Sequence, residues 1–232
     1  MRYPLLDITR GIAFVAMVLY HGSWFADDYG LLDLDMHGNL AWVVFQKSIA
    51  GTFFFLVGSS LYLAHRSGVK WGAFGRRMAK LALCAATVSV TSVLLNPDRL
   101  VTFGILHCIM ATSIVGLAFL RLGRWNIGVG GGLIALGVGV HSTVFDPPAL
   151  HWLGLGTQWI PTFDFQPFLP WFGVVLLGMV AGQTAWPRTE GIAVDGAVAR
   201  GLAGLGRWAL WLYMAHVPLL VLTMEALRAL LT

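Results

Sequence analysis

Apolar stretches recur along this chain of 232 residues, and polar clusters that carry turn-forming residues separate them. An apolar stretch of about twenty residues is long enough to cross a bilayer as an α-helix. The pattern therefore predicts an all-α polytopic membrane protein with about seven transmembrane helices in a single domain, residues 1–232. The predicted spans are Leu5–Phe25, Ala41–Ala64, Met78–Leu95, Val101–Leu120, Trp125–Phe145, Phe168–Trp186 and Leu205–Leu231.

Composition supports the same class. Hydrophobic residues make up 57% of the chain and charged residues 11%, whereas soluble globular proteins have roughly 25% charged residues. The mean hydropathy is +0.75. The net charge of +4 does not indicate nucleic-acid binding, because the cations are spread over alternate connections and form no basic patch with interleaved aromatic residues.

The charges of the connections alternate and predict an orientation. The basic set contains Arg2, Arg66, Lys70, Arg76, Arg77, Lys80, Arg121, Arg124, Arg188, Arg200 and Arg207. The acidic set contains Asp27, Asp28, Asp33, Asp35, Asp98, Asp146 and Asp164. Because Lys and Arg concentrate in cytoplasmic loops, we expect a cytoplasmic N-terminus and an extracytoplasmic C-terminus.

Three connections bear on function. Two predicted outer connections, residues 26–40 and 146–167, are long enough to serve as lids or binding segments. The second is rich in proline and glycine, so a continuous helix is not expected there. The predicted inner connection after Trp186 is rich in glycine and alanine and weakly amphipathic at most, so no soluble second domain is expected.

The first predicted span carries three ionisable residues on one face. Asp7 and Arg10 are three residues apart, and Arg10 and His21 are eleven apart, close to three helical turns or ~16 Å of rise. Ionisable groups at membrane depth are costly and usually serve a function. We interpret this ladder as the core of an active site. The plainer alternatives are that Arg10 extends to the headgroups and that His21 is a structural histidine.

Further polar positions are candidates with plain alternatives of their own. His37 lies among aspartates that would orient it. The plainer alternative is a solvated histidine. Lys47 falls inside the second span, where it serves a site or extends to the interface. His107 and His216 are intramembrane histidines, and hydrogen bonding between helices is typical of such residues. The glycine cluster Gly128 and Gly130–Gly132 indicates close helix packing and not a phosphate loop.

The opening LDITRGIAFVAMVLYH, residues 6–21, resembles the first helix of the transmembrane acyltransferase superfamily. In one branch a histidine required for transfer lies eleven residues after the arginine, where this chain has His21. In the heparan-α-glucosaminide N-acetyltransferase branch the catalytic histidine lies in the following outer loop. Counting back twenty-one residues from Gly58, in FFFLVGSSLYLA, leads to His37. The chain thus has a histidine at both positions, and the choice of base stays open.

The wider resemblance is to small bacterial membrane proteins that carry the heparan-type catalytic domain. The motifs FGILHCI, DFQPFLPWFG and WLYMAHVP follow one another in order, so the likeness covers nearly the whole chain. It implies an integral protein of the bacterial cytoplasmic (inner) membrane. The implied function is transfer of an acyl group, expected to be acetyl, from acyl-CoA to an amine or hydroxyl of an extracytoplasmic sugar or glycan.

The resemblance also implies roles for individual residues. The implied catalytic residues are His21, His37, His107 and Asp164. His21 or His37 would be the base or the acyl carrier, His107 would donate to the oxyanion, and Asp164 would hold the acceptor. The implied co-substrate ligands are Asp7, Arg10, Lys47, Arg76 and Arg77, of which the arginines would hold the phosphates of acetyl-CoA or another acyl-CoA. The acidic first outer loop favours a neutral or cationic acceptor over a polyanion. No metal and no nucleic acid are expected, and the bilayer is the surrounding partner.

Two alternatives belong to other classes. A non-enzymatic solute or proton carrier could use the same polar ladder as its path. A haem protein could use a pair of the intramembrane histidines His21, His107, His141 and His216 as axial ligands. The sequence leaves open the acceptor, the acyl chain length, direct transfer against an acyl-histidine, and whether the chain forms a homo-oligomer.

Overall fold

The computed structural model describes residues 3–36, 38–95, 97–158, 160 and 162–231, and every regular element within these ranges is helical. Short 3-10 turns occur in several of the connections. The α-helices are α1 (Pro4–Asp28), α2 (Leu40–His65), α3 (Trp71–Leu95), α4 (Ile105–Gly116), α5 (Asn126–Gly139), α6 (Phe168–Thr184), α7 (Ala197–Arg207) and α8 (Ala209–Leu231). The all-α prediction is confirmed.

Four of these helices, α1, α2, α3 and α8, are long and apolar enough to cross a membrane. The fourth, fifth and sixth predicted spans are helical too, but α4, α5 and α6 have 12, 14 and 17 residues. A straight helix needs about twenty residues to cross a bilayer. The count of seven spans and the orientation of the termini therefore stay predictions.

The chain divides into two compact units. The first consists of Met1–Phe53 and Thr189–Thr232, and the second of Phe54–Arg188. The division falls inside α2, so the beginning of this helix belongs to the first unit and the remainder to the second. The first unit is thus assembled from segments far apart in the sequence, whereas the second is contiguous. The prediction of a single domain over 1–232 stays a prediction.

A small apolar core holds the first unit together. Phe14 and Met17 of α1 and Ile49 of α2 form a buried cluster, against which Tyr213 and Leu212 of α8 pack. Phe14 and Met17 are three residues apart and so face the same way on α1. This face of α1 is therefore the one that meets α8.

Two glycines bring the backbones of α1 and α7 into direct contact. A Cβ added to Gly11 would collide with the carbonyl oxygen of Leu202, and one added to Gly206 would collide with that of Asp7. Small residues permit such close approach between helices. Gly11 is the glycine of the Arg-Gly motif, so the structure gives that residue a packing role.

The region around α7 corrects two sequence expectations. The predicted span Leu205–Leu231 begins too early, because α7 ends at Arg207 and a separate helix starts at Ala209. The connection after Trp186 was expected to be weakly amphipathic at most, but α7, which lies within it, has a pronounced apolar face. α7 consists largely of glycine, alanine and leucine, and Gly206 contributes contact through the backbone, which a hydropathy pattern does not register.

In the second unit, α2 and α6 cross in the same manner as α1 and α7. A Cβ on Gly58 would collide with the carbonyl oxygen of Val175, and one on Gly178 would collide with that of Phe55. Near this crossing, the Ser59 hydroxyl donates to the Gly178 carbonyl oxygen at 2.9 Å. Each unit therefore has a helix pair held at backbone contact by two glycines.

The predicted packing role of the glycine cluster in α5 is confirmed at one position. A Cβ on Gly130 would lie 2.8 Å from the carbonyl oxygen of Gly173 in α6. Gly128, Gly131 and Gly132 face open space instead. A helix that packs on one neighbour needs small residues on one face only, and the sequence alone did not show which glycine lies there.

The connection between α5 and α6 is a folded loop and not a continuous helix, as predicted. The carboxylate of Asp146 accepts hydrogen bonds from the Thr157 backbone N–H at 2.6 Å and from the Thr157 hydroxyl at 2.8 Å. A 3-10 turn, Pro148–Leu153, follows and ends at Gly154, which has a φ of 83°. These contacts close residues 146–157 into a compact segment.

Candidate active site

An ion pair marks the beginning of α1. Arg10 Nη1 lies 3.1 Å from Asp7 Oδ1, and both side chains are largely buried. The two residues are three positions apart, which is the spacing that joins neighbouring turns of a helix. The shared face predicted for Asp7 and Arg10 is therefore confirmed, and the ion pair lies beside the contact between Gly11 and α7.

A pair of histidines lies further along the same helix. His21 Nδ1 and His216 Nε2 are 3.2 Å apart, and the ring centroids are 5.0 Å apart. The other nitrogen of His216, Nδ1, hydrogen-bonds to the backbone carbonyl of Tyr213. His216 is 5% exposed, so the pair is largely enclosed. The hydrogen bond links α1 to α8.

The packed faces of the two helices explain why these histidines meet. His21 follows Met17 by four residues and Phe14 by seven, so it continues the buried stripe of α1. His216 follows Tyr213 by three residues and continues the stripe of α8 that packs on the same apolar cluster. Apolar contacts thus align the helices, and the next position on each stripe is a histidine.

Sequence reasoning predicted the hydrogen-bonding role of His216 but not its partner. The residue bonds between helices, as expected of an intramembrane histidine, and the bond reaches a predicted catalytic residue. His21 and His216 are 195 positions apart, so no local spacing joins them. The available signal was that both lie in motifs of one family, in spans with matching apolar stripes.

His107 and Asp164 both bond to the beginning of α4, in the second unit. Asp164 Oδ2 accepts a hydrogen bond from the Ile105 backbone N–H at 2.9 Å, and His107 Nδ1 accepts one from the Gly104 N–H at 3.3 Å. The first N–H groups of a helix have no partner inside the helix. These two side chains therefore satisfy the N-terminus of α4, an arrangement similar to a capping box.

The remaining predicted site residues are distributed differently. Lys47 lies with Val44 and Ser48 on the exposed side of α2, away from the buried Ile49. Arg76 and Arg77 lie near the beginning of α3 in the second unit, where Arg76 is exposed and Arg77 half-buried. His37 lies outside the described residues.

Two open cavities border the folded loop of the second unit. The first has a volume of about 390 Å³ and the second about 340 Å³, and they share His151 and Phe165. The first is lined by Thr102, Phe103, Pro148, His151, Trp152 and Phe165.

Hydrogen bonds from Thr157, first from its backbone N–H and then from its hydroxyl, lower the pKa of Asp146 in the adjoining loop. No group of three His, Cys, Asp or Glu side chains suited to a metal ion occurs among the described residues.

Comparison with known proteins supplies the family. No curated protein and no solved structure is significantly similar to the chain. The family model described as heparan-alpha-glucosaminide N-acetyltransferase, catalytic, matches residues 2–218 and so includes α1, the ion pair and both histidines of the first unit. The match covers most of the chain, and this family indicates a membrane acetyltransferase. The chain belongs to the heparan-alpha-glucosaminide N-acetyltransferase catalytic-domain family.

Proposed function

We propose that this protein transfers an acetyl group from acetyl-CoA to an amine or hydroxyl of an extracytoplasmic sugar, with His21 as the base. The observation that carries the proposal is the hydrogen bond between His21 of α1 and His216 of α8. The Asp7–Arg10 ion pair lies on α1 as well. One helix thus carries a fixed cation and an oriented imidazole. An imidazole can act as the base for the acceptor, and a guanidinium can hold the phosphates of an acyl-CoA.

The reaction steps follow from these groups. His21 takes a proton from the acceptor amine or hydroxyl, whose nitrogen or oxygen then forms a bond to the thioester carbonyl carbon. The tetrahedral intermediate collapses, the carbon–sulfur bond breaks, and the proton on His21 passes to the departing CoA thiolate. In a two-step variant His21 Nε2 displaces the CoA thiolate from the thioester carbonyl carbon, and the acceptor then attacks the acyl-imidazole, which breaks its carbon–nitrogen bond and frees His21.

Arg10 is proposed as a ligand of the donor phosphates. Guanidinium groups form paired hydrogen bonds with phosphate oxygens, and the Asp7 carboxylate fixes the direction in which this one points. Arg76 and Arg77 are proposed as further phosphate ligands because the charge pattern predicts that they lie on the same, cytoplasmic side. Lys47 stays a weaker candidate, because it lies on the exposed side of α2.

The loop that follows α1 bears on the acceptor. The end of α1 and this loop together contain four aspartates, of which Asp27 Oδ1 accepts from the Leu34 N–H at 2.7 Å and Asp35 Oδ1 from the Gly38 N–H at 3.1 Å. The local charge is negative, which disfavours a polyanion and favours a neutral or cationic acceptor. We therefore propose an amino sugar, and the acetylated atom is then its amine.

The test uses the purified chain in nanodiscs with acetyl-CoA and a panel of amino sugars, with release of free CoA thiol as the signal. Arg10→Ala should lose acetyl-CoA binding, while Arg124→Ala, which removes an exposed arginine, should keep it. Of His21→Ala and His37→Ala, the first should abolish turnover. Loss of turnover only in His37→Ala would transfer the role of base to that residue.

The same preparation decides between the proposal and its rivals. Acetyl-CoA binding by the native chain, with thiol release that depends on an amino sugar, supports the acetyltransferase. Well-folded protein that binds no acyl-CoA would contradict the proposal and favour a carrier. A Soret band in the spectrum would indicate haem.

A further inference from the structure

We propose that His216 is a positioning residue that fixes the tautomer of His21, so that Nε2 of His21 is the basic nitrogen. This inference rests on the proposed function for its catalytic meaning, but the tautomer itself can be measured without turnover. His216 touches neither the donor nor the acceptor in this scheme. It acts only through the ring of His21.

The hydrogen bonds determine which nitrogens carry protons. The Tyr213 carbonyl can only accept, so its bond with His216 Nδ1 requires a proton on that nitrogen. A neutral imidazole has one N–H, and His216 Nε2 is therefore an acceptor. The bond at 3.2 Å must then be donated by His21 Nδ1, which leaves the lone pair of His21 on Nε2.

Neighbouring rings hold the two imidazoles in place. The Tyr20 ring meets His21 edge-on with centroids 5.5 Å apart, and the Tyr213 ring lies 5.3 Å from His216. Tyr20 is in turn supported by Phe45 at 6.2 Å. Aromatic contacts of this kind restrict ring rotation, so the hydrogen bond between the histidines is maintained by packing.

The arrangement has a chemical consequence for the proton. When His21 Nε2 takes the acceptor's proton, the ring becomes a cation, and its Nδ1–H is still bound to the lone pair of His216. The partner thus stabilises the charged ring, as a carboxylate does in hydrolase triads. A neutral partner does so without an additional buried anion, which is expensive in an apolar setting.

Two amide substitutions separate the acceptor from the donor of His216. In His216→Gln the side-chain oxygen can reach the position of Nε2 and accept from His21, whereas in His216→Asn the amide can still donate to Tyr213 but is too short to reach His21. We expect kcat to fall about 10- to 100-fold in His216→Asn, with His216→Gln much closer to the native chain. Equal loss in both variants would overturn the proposal.

A spectroscopic measurement tests the tautomer directly. Nitrogen-15 NMR of histidine-labelled protein in nanodiscs distinguishes protonated from unprotonated ring nitrogens, and the spectrum of His21→Ala assigns the His21 signals. The expected result in the native chain is a protonated Nδ1 and an unprotonated Nε2 on His21, retained in His216→Gln and lost in His216→Asn. A protonated Nε2 on His21 in the neutral native protein would overturn the inference.

The two measurements keep the separate claims distinguishable. If the native chain shows the expected tautomer but no acetyl transfer, the proposed function fails and the hydrogen-bond assignment stands. If it transfers acetyl and the tautomer is the opposite one, this inference fails and the function stands. If His216→Asn does not fold, the native spectrum alone decides.

Discussion

The first unit holds the His21–His216 pair, and the second holds Asp164 and His107 at the beginning of α4. Both arrangements place polar side chains among apolar helices, but their hydrogen bonds go to different groups. Asp164 and His107 accept from backbone N–H groups at the beginning of α4. His21 and His216 are joined to each other by a bond between side chains.

The difference separates a structural use of polar residues from a chemical one. A helix N-terminus must have its N–H groups satisfied, and the side chains that do so are occupied by that task. No such need accounts for the bond between His21 and His216. We therefore expect the chemistry in the first unit, and we propose a mainly structural role for Asp164 and His107.

The largest expected effect is on turnover. His21→Ala should lower kcat by about 10²- to 10⁴-fold, the usual contribution of a general base, and lower the melting temperature only by the loss of its one hydrogen bond to His216. His107→Ala should show the reverse, with a lower melting temperature and kcat close to native. Steady-state thiol release and thermal unfolding in detergent give both quantities. A collapse of kcat in His107→Ala without loss of stability would break the distinction.

The second effect is on the glycine contacts that support each unit. Gly206→Ala should destabilise the first unit and Gly178→Ala the second, each by about 1–3 kcal/mol or more, because a methyl group would press on a backbone carbonyl that cannot rotate away. Thermal unfolding and the fraction of monodisperse protein measure this.

Matched alanine substitutions control for helix propensity in that experiment. Gly201→Ala in α7 and Gly131→Ala in α5 face open space, so alanine should stabilise each helix by up to about 1 kcal/mol. Gly206→Ala as stable as Gly201→Ala would show that α1 and α7 are not in backbone contact.

The third effect concerns the cap of α4. Asp164→Ala should cost about 0.5–2 kcal/mol, because the Ile105 N–H loses its acceptor. Asp164→Asn should cost less, since the amide oxygen still accepts. Denaturation of the purified variants gives the difference. If Asp164→Asn instead abolished turnover while keeping native stability, the carboxylate would have a chemical role and the second unit would hold part of the site.

The smallest effect is on the loop between α5 and α6 in the second unit. The pKa of Asp146 is lowered by hydrogen bonds from Thr157, so its contribution to stability is present above the unfolded pKa of about 3.9 and is lost as the pH falls through the lower folded value. We expect residues 146–157 to exchange amide hydrogens faster, relative to the intrinsic rate, below about pH 4. In Thr157→Val, which removes the hydroxyl donor, this transition should move to higher pH. No difference from the native chain would show that the hydroxyl does not contribute.

The sequence predicted what depends on local spacing. The all-helical class, the shared face of Asp7 and Arg10 and the absence of a continuous helix between α5 and α6 follow from periodicity or turn-forming residues, and each is confirmed within the described residues. The separation of α7 from α8 did not follow, because the backbone contacts of Gly206 leave no trace in a hydropathy pattern. Nor did the bond between His21 and His216, since a residue's partner 195 positions away is set by packing and not by spacing.

The origin of the first unit at both ends of the chain has a consequence for biosynthesis. The ribosome delivers α1 first, but Leu202 and Gly206, which close over its beginning, follow about 190 residues later. Until then α1 resides in the bilayer with Asp7, Arg10 and His21 lacking their final neighbours in α7 and α8. The middle of the chain, residues 54–188, is complete by that time. Contact of α7 and α8 with α1 therefore forms only after the middle of the chain has been synthesised, and a chain interrupted before residue 197 lacks the helices that pack on α1.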